Sequence, residues 1–131
     1  MSKEQFIHVN NKGDKRYYSD REMKIKHRED GPAVEWASGS KAWWINDKLH
    51  REDGPAIEYA DGGKAWYVNG ELHREDGPAI EWADGDKWWF INGEWLSEAE
   101  FNKRMNPVTE LTLEDIAEKF GVSVDQLKVK K

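Results

Sequence analysis

Apolar and polar residues alternate with a period of two through Pro55 to Arg74, the mark of half-buried strands. Ala56–Ala60 (AIEYA) reads as a short strand, Asp61-Gly62 as a two-residue hairpin turn, and Lys64–Val68 (KAWYV) as a second strand. Asn69-Gly70 is another hairpin turn, and Glu71–Arg74 (ELHR) reads as a third short strand. The next Asp-Gly-Pro ends the pairing, because proline has no N–H to give to a ladder. The whole pattern returns every 23 residues: His27, His50 and His73; Gly31, Gly54 and Gly77; Pro32, Pro55 and Pro78; Trp43, Trp66 and Trp89; Asn46, Asn69 and Asn92. A constant step of this size predicts stacked supersecondary units. Residues 1–26 contain a degenerate first copy, in which Asn11–Tyr18 matches Ala37–Trp44. Residues 27–96 form the array, and 97–131 a helical cap and tail. The predicted fold is mainly β, stacked antiparallel hairpins with a small C-terminal α-helical extension.

Two-residue turns set which residues face each other. One row would read Ile57, Trp66, His73, and the next, on the opposite face, Glu58, Ala65, Arg74. The preceding unit gives Val34, Trp43, His50 and Glu35, Ala42, Arg51. Each His is then expected against a Trp, and each Arg within reach of a Glu across a small Ala. Lys41, Lys64 and Lys87 would face Trp36, Tyr59 and Trp82, a geometry suited to cation–π contact. The His row could in principle hold a metal ladder if its imidazoles converged with carboxylates on one ion. Leu96 occupies the same position in the last unit, however, and a residue replaceable by Leu is packing. No metal or other cofactor is expected.

The last unit breaks the rule. Its row reads Glu81, Trp88, Ser97, so Ala has become Trp and the Arg is gone, while Trp44 and Tyr67 are followed by Phe90. This predicts a carboxylate without an Arg beside two large rings. Trp44, Tyr67, Glu81, Trp88 and Phe90 are therefore the candidate binding residues. The competing expectation is that Trp95, Leu96 and Phe101 cover those rings, in a capping helix that starts at Ser97 with Glu98 and Glu100 in its first turn.

Composition narrows the function classes. Charged residues make up 35% of the 131, yet eight Trp, four Tyr and four Phe supply a core. The net charge of −6 comes from interspersed signs, which disfavours a nucleic-acid stripe. There is no Cys, no apolar run of membrane length and no secretory h-region at the start, so a soluble cytoplasmic protein is expected.

The 23-residue step, with the WYVNGELH (66–73) and WWFINGEW (88–95) segments, resembles MORN-type repeats, particularly the divergent variant of bacterial and phage proteins. The resemblance covers roughly residues 6–96. It implies a β-hairpin array used as a scaffold or binding surface, and some bacterial members look like antitoxin or immunity components. The His-Arg-Glu-Asp-Gly-Pro-Ala block departs from the ordinary MORN signature, which argues against a lipid-binding role. Beyond Thr109 the chain resembles the start of a helix-turn-helix or of a LysM module. A helix is predicted from about Leu113 to Phe120, capped by Thr112, and a second after Ser123. The chain stops too soon after Leu127 to read a major groove, so DNA is not the expected partner.

No nucleophile–base pair or phosphate loop is present, and an enzyme is not expected. The leading expectation is an inhibitor-like or antitoxin-like module, of the phage or mobile-element kind, that binds another protein. The alternatives are a sponge that stacks a nucleotide or sugar on its aromatic rows, and a structural repeat protein that self-associates through a sheet edge.

Overall fold

The computed structural model describes residues 5–105. The expected tail helices, at 113–120 and after 123, lie outside the described residues, as does the stretch that resembles a helix-turn-helix or LysM start.

The architecture is mainly β. The chain opens with a hairpin of β1 (Phe6–Val9) and β2 (Lys15–Tyr18). Each later unit adds a first pair, a central strand and a return. They are β3 (Val34–Glu35), β4 (Lys41–Ala42), β5 (Trp44–Ile45) and β6 (Lys48–Leu49) in one unit, and β7 (Ile57–Glu58), β8 (Lys64–Ala65), β9 (Tyr67–Val68) and β10 (Glu71–Leu72) in the next. The last has β11 (Ile80–Glu81), an unbroken β12 (Lys87–Ile91), β13 (Glu94–Leu96) and the helix α1 (Glu98–Met105). Nine strands form one antiparallel sheet in the order β1-β2-β3-β4-β7-β8-β11-β12-β13, while β5-β6 and β9-β10 are separate two-stranded pieces. The chain stays extended between β4 and β5: Trp43 N–H donates to Ala56 O (2.7 Å) and Trp43 O accepts from His50 N–H (3.0 Å). Trp66 makes the same pair of bonds with Ala79 and His73.

The Asn turns are as expected. Both central residues have positive φ, 51° and 84° at Asn69-Gly70 and 49° and 79° at Asn92-Gly93, which is the hairpin geometry that matches strand twist. The Asp-Gly turns are not. Only Gly62 takes positive φ (99°) there, and Tyr59 N–H donates to Gly63 O across a three-residue loop. The extra loop residue moves the register by one. Ile57 faces Ala65 rather than Trp66, and Glu58 faces Lys64 rather than Ala65.

This shift sorts the sheet into two chemically distinct faces. One row of register partners runs Lys15, Glu35, Lys41, Glu58, Lys64, Glu81, Lys87, strictly alternating in charge. The neighbouring row, on the other face, runs Arg16, Val34, Ala42, Ile57, Ala65, Ile80, Trp88. A slip by one residue would set these rows against each other, so the pattern pins the pairing. The buried set is small: Ala33, Ala56 and Ala79 have no exposure, and Val34, Ala42, Ala65, Tyr17, Leu96 and Phe101 complete it. Ala33, Ala56 and Ala79 therefore occupy closed space.

Filling that space should be costly. Ala56→Leu is expected to destabilise the protein by about 1–3 kcal/mol through overpacking, seen as a lower urea midpoint. An exposed control, Ala60→Leu, should leave the midpoint nearly unchanged.

Candidate functional site

The repeated block His-Arg-Glu-Asp-Gly-Pro-Ala-x-Glu closes on itself. In the middle copy the Arg51 guanidinium lies 3.8 Å from the centroid of the Trp43 ring. Its Nε donates to Asp53 (3.0 Å), and its Nη1 donates to Pro55 O (3.0 Å) and to Glu58 (3.0 Å). Gly54 lies close against the guanidinium, where a Cβ would meet Arg51 Cζ at 3.0 Å. Arg74 repeats the arrangement on Trp66 with Asp76, Pro78 and Glu81, and Arg28 does so on Tyr17 with Asp30, Pro32 and Glu35. Tyr17 of the first hairpin thus holds the place against Arg28 that Trp43 and Trp66 hold against Arg51 and Arg74.

The histidines join one unit to the next. His27, His50 and His73 each accept a hydrogen bond at Nδ1 from the backbone N–H of Asn46, Asn69 and Asn92, at 2.9–3.0 Å. That leaves Nε2 as the protonated nitrogen, pointing at Glu29, Glu52 or Glu75 at 3.4–3.6 Å. Nδ1 of each histidine is thus committed to structure. Among the described residues no three His, Asp or Glu side chains converge as a metal site.

Several expectations are corrected here. Arg51 and Arg74 do not reach Glu35 and Glu58 of the unit before; each takes the Glu seven residues ahead in its own block. Glu81, expected to lack an Arg, is bound by Arg74 at 2.8 Å and belongs to the charged face. The lysine row faces glutamates rather than Trp36, Tyr59 and Trp82, and the cations stacked on rings of the repeat are Arg51 on Trp43 and Arg74 on Trp66. All of these follow from the same extra loop residue. Ser97 does cap α1, accepting at Oγ from Glu100 N–H (3.1 Å), and Leu96 and Phe101 are buried. Trp95, expected to cover the rings, is 53% exposed.

The remaining candidates share the other face. Trp44, Tyr67 and Phe90 alternate with the groove-side Trp43, Trp66 and Trp89, and Trp88 stands in the row of Ala42 and Ala65. Trp44 pairs with Leu49, Tyr67 with Leu72 and Phe90 with Trp95, which extends this face to the return strands. Trp36, Tyr59 and Trp82 extend it the other way, with the Tyr59 and Trp82 rings 5.8 Å apart. From β3 to β13 the strand positions on this face carry no charged side chain. Lys26 enters at one end, stacked 4.5 Å over Trp44. Burial pushes the Tyr67 phenol up, with a smaller contribution from Tyr59. The face opens toward the C-terminal end of the array, where Trp82 and Trp88 are 41% and 42% exposed and Trp88 meets Trp95 at 6.4 Å. Trp82 and Trp95 were missed as site residues. Their signal was the replacement of Ala by Trp88 in the row of Ala42 and Ala65.

The opposite face carries two successive open grooves of about 860 Å³ each, between neighbouring Arg-Glu-Asp loops, floored by Trp43 and Ile45 in one and Trp66 and Val68 in the other. None of the five candidates lines them.

Two tests follow from this geometry. Gly77→Ala places a Cβ 2.9 Å from Arg74 Cζ and should cost about 1–3 kcal/mol. If the cost is displacement of the guanidinium from Trp66, Gly77→Ala in an Arg74→Ala background should cost markedly less, in a double-mutant cycle. The second test is pH. Hydrogen bonds from Ala37 N–H and Asn10 hold the Asp14 carboxyl below the ordinary 3.8, the Ile25 N–H does the same for Asp20, and Arg28 for Asp30. Depressed folded values mean stability that is present above the unfolded value and lost as pH falls through the folded one. The urea midpoint should therefore drop below about pH 4, and Asp14→Asn should flatten that drop.

Compared with known proteins, the chain matches no protein-family model, no curated protein and no solved structure.

Proposed function

We propose that this chain is a non-enzymatic cytoplasmic binding module that engages another protein through its uncharged aromatic face. One observation carries the reading: on the charged face Arg51 and Arg74 are paired with Glu58 and Glu81, whereas the opposite face presents the large rings of Trp82, Trp88 and Trp95 to solvent. Large, rigid rings around a dry patch are what protein hot spots are made of. The MORN-like step adds a setting, an inhibitor or antitoxin-like module of the phage or mobile-element kind. A nucleotide or sugar sponge has less support, because the cation that meets this face, Lys26 on Trp44, has Asp47 at 3.7 Å.

The test is capture of partners from bacterial lysate by the wild type and two variants. Trp88→Ala with Trp95→Ala should weaken a protein partner by about 30-fold or more, as expected for hot-spot tryptophans. Lys64→Ala with Lys87→Ala, on the opposite face, should leave it bound. A partner lost only in the lysine variant, or a nucleotide released on denaturing the captured sample with no protein present, would refute the reading.

A further inference from the structure

The two ends of the nine-stranded sheet are finished differently. At the C-terminal end β13 is three residues long, begins with Glu94 and runs at once into α1. At the other end β1, Phe6–Val9, is an edge strand without a charged residue or proline in it. The segment Gln5–Asn10 (QFIHVN) carries no formal charge and no proline in a chain that is 35% charged. Natural edge strands are commonly blunted by such residues, because an open edge is a template for another strand.

The direction of the free backbone groups can be derived. Tyr17 N–H donates to Ala33 O (2.7 Å) and Tyr17 O accepts from His27 N–H (3.1 Å), so the polar groups of Tyr17 point away from β1. By the alternation of an antiparallel ladder, Arg16 and Tyr18 face β1 and bond their register partners His8 and Phe6. Ile7 and Val9 then turn their N–H and C=O outward. Their side chains are also 47% and 54% exposed. Among the described residues, no strand pairs with this edge.

We propose that β1 pairs antiparallel with β1 of a second copy, about a two-fold axis at Ile7, to join two arrays into one continuous sheet. This centring sets Gln5 opposite Val9, Phe6 opposite His8 and Ile7 opposite its own mate, which spans the uncharged stretch and meets outward groups with outward groups. Centring one residue later would run Gln5 into the turn where Gly13 N–H already bonds Asn10 O. Identical strands in antiparallel pairing are isologous, so the contact closes as a dimer. The interface is small, below about 1,200 Å² in total, and belongs with weak, transient contacts. The dimer should carry two aromatic faces on one sheet, which makes the module bivalent.

The chain has no cysteine, which permits a clean test. In sedimentation equilibrium from about 5 to 500 µM, a range suited to a weak interface, the wild-type mass should climb from monomer toward dimer. Ile7→Lys, at an exposed position, should remain monomeric and folded by circular dichroism. Ile7→Cys should form an intermolecular disulfide at least ten times faster than Val9→Cys, since only Ile7 meets its mate across the axis. A mass that stays monomeric throughout overturns the proposal. So does a dimer that survives Ile7→Lys, one abolished instead by Trp88→Ala with Trp95→Ala, or Val9→Cys cross-linking as fast as Ile7→Cys.

Discussion

Everything in this array depends on where one guanidinium goes in each repeat. It lies over an aromatic ring, has a glycine backbone close against it, and is tied by Nε and Nη1 to an Asp, a Glu and a proline carbonyl. A planar, permanently charged fork suits this arrangement, and an ammonium would not. Because the aromatic ring belongs to the central strand and the carboxylates to the loop and first strand that follow, each sandwich also sets the angle at which the chain turns into its next unit. The histidine then fastens that loop to the next Asn turn through a backbone N–H. Such bonds cross between units, so a repeat with almost no deep core still stacks in a defined register.

The consequence is a division of labour between faces. The charged row alternates Lys and Glu along the sheet, and its arginines and carboxylates satisfy one another. The reverse side holds the apolar half of the alternation. Where Ala42 and Ala65 occupy a row, the sheet residues there are almost wholly covered. Once the same row reaches Trp88, the surface opens, and Trp88 is 42% exposed. The array is therefore not uniform along its length, and its chemistry is concentrated at the end where α1 replaces the missing block.

Much of this was legible in residues alone. The 23-residue step, the two-residue Asn turns, the strand nature of each segment and the Ser97 cap could all be read from local rules. The register across the Asp-Gly turns could not. Asp-Gly suits both a two-residue turn and a three-residue loop in which only the glycine is left-handed, and the difference is a single residue. That one residue exchanged the two faces, paired each Arg with its own block rather than its neighbour's, and removed Glu81 from the open patch. Gly31, Gly54 and Gly77 recur every 23 residues, yet none has positive φ. Their reason is the close approach of a guanidinium from elsewhere in the chain.

Periodicity and turn chemistry act over a few neighbouring residues, so the sequence by itself determined that this protein is a β-hairpin array, how long each unit is, and where the pattern ends. Which ring lies under which arginine, which strand edge stays open and which face keeps its tryptophans exposed were decided only by tertiary structure. Those outcomes depend on contacts between units, and a shift of one residue in a two-residue period reverses every one of them.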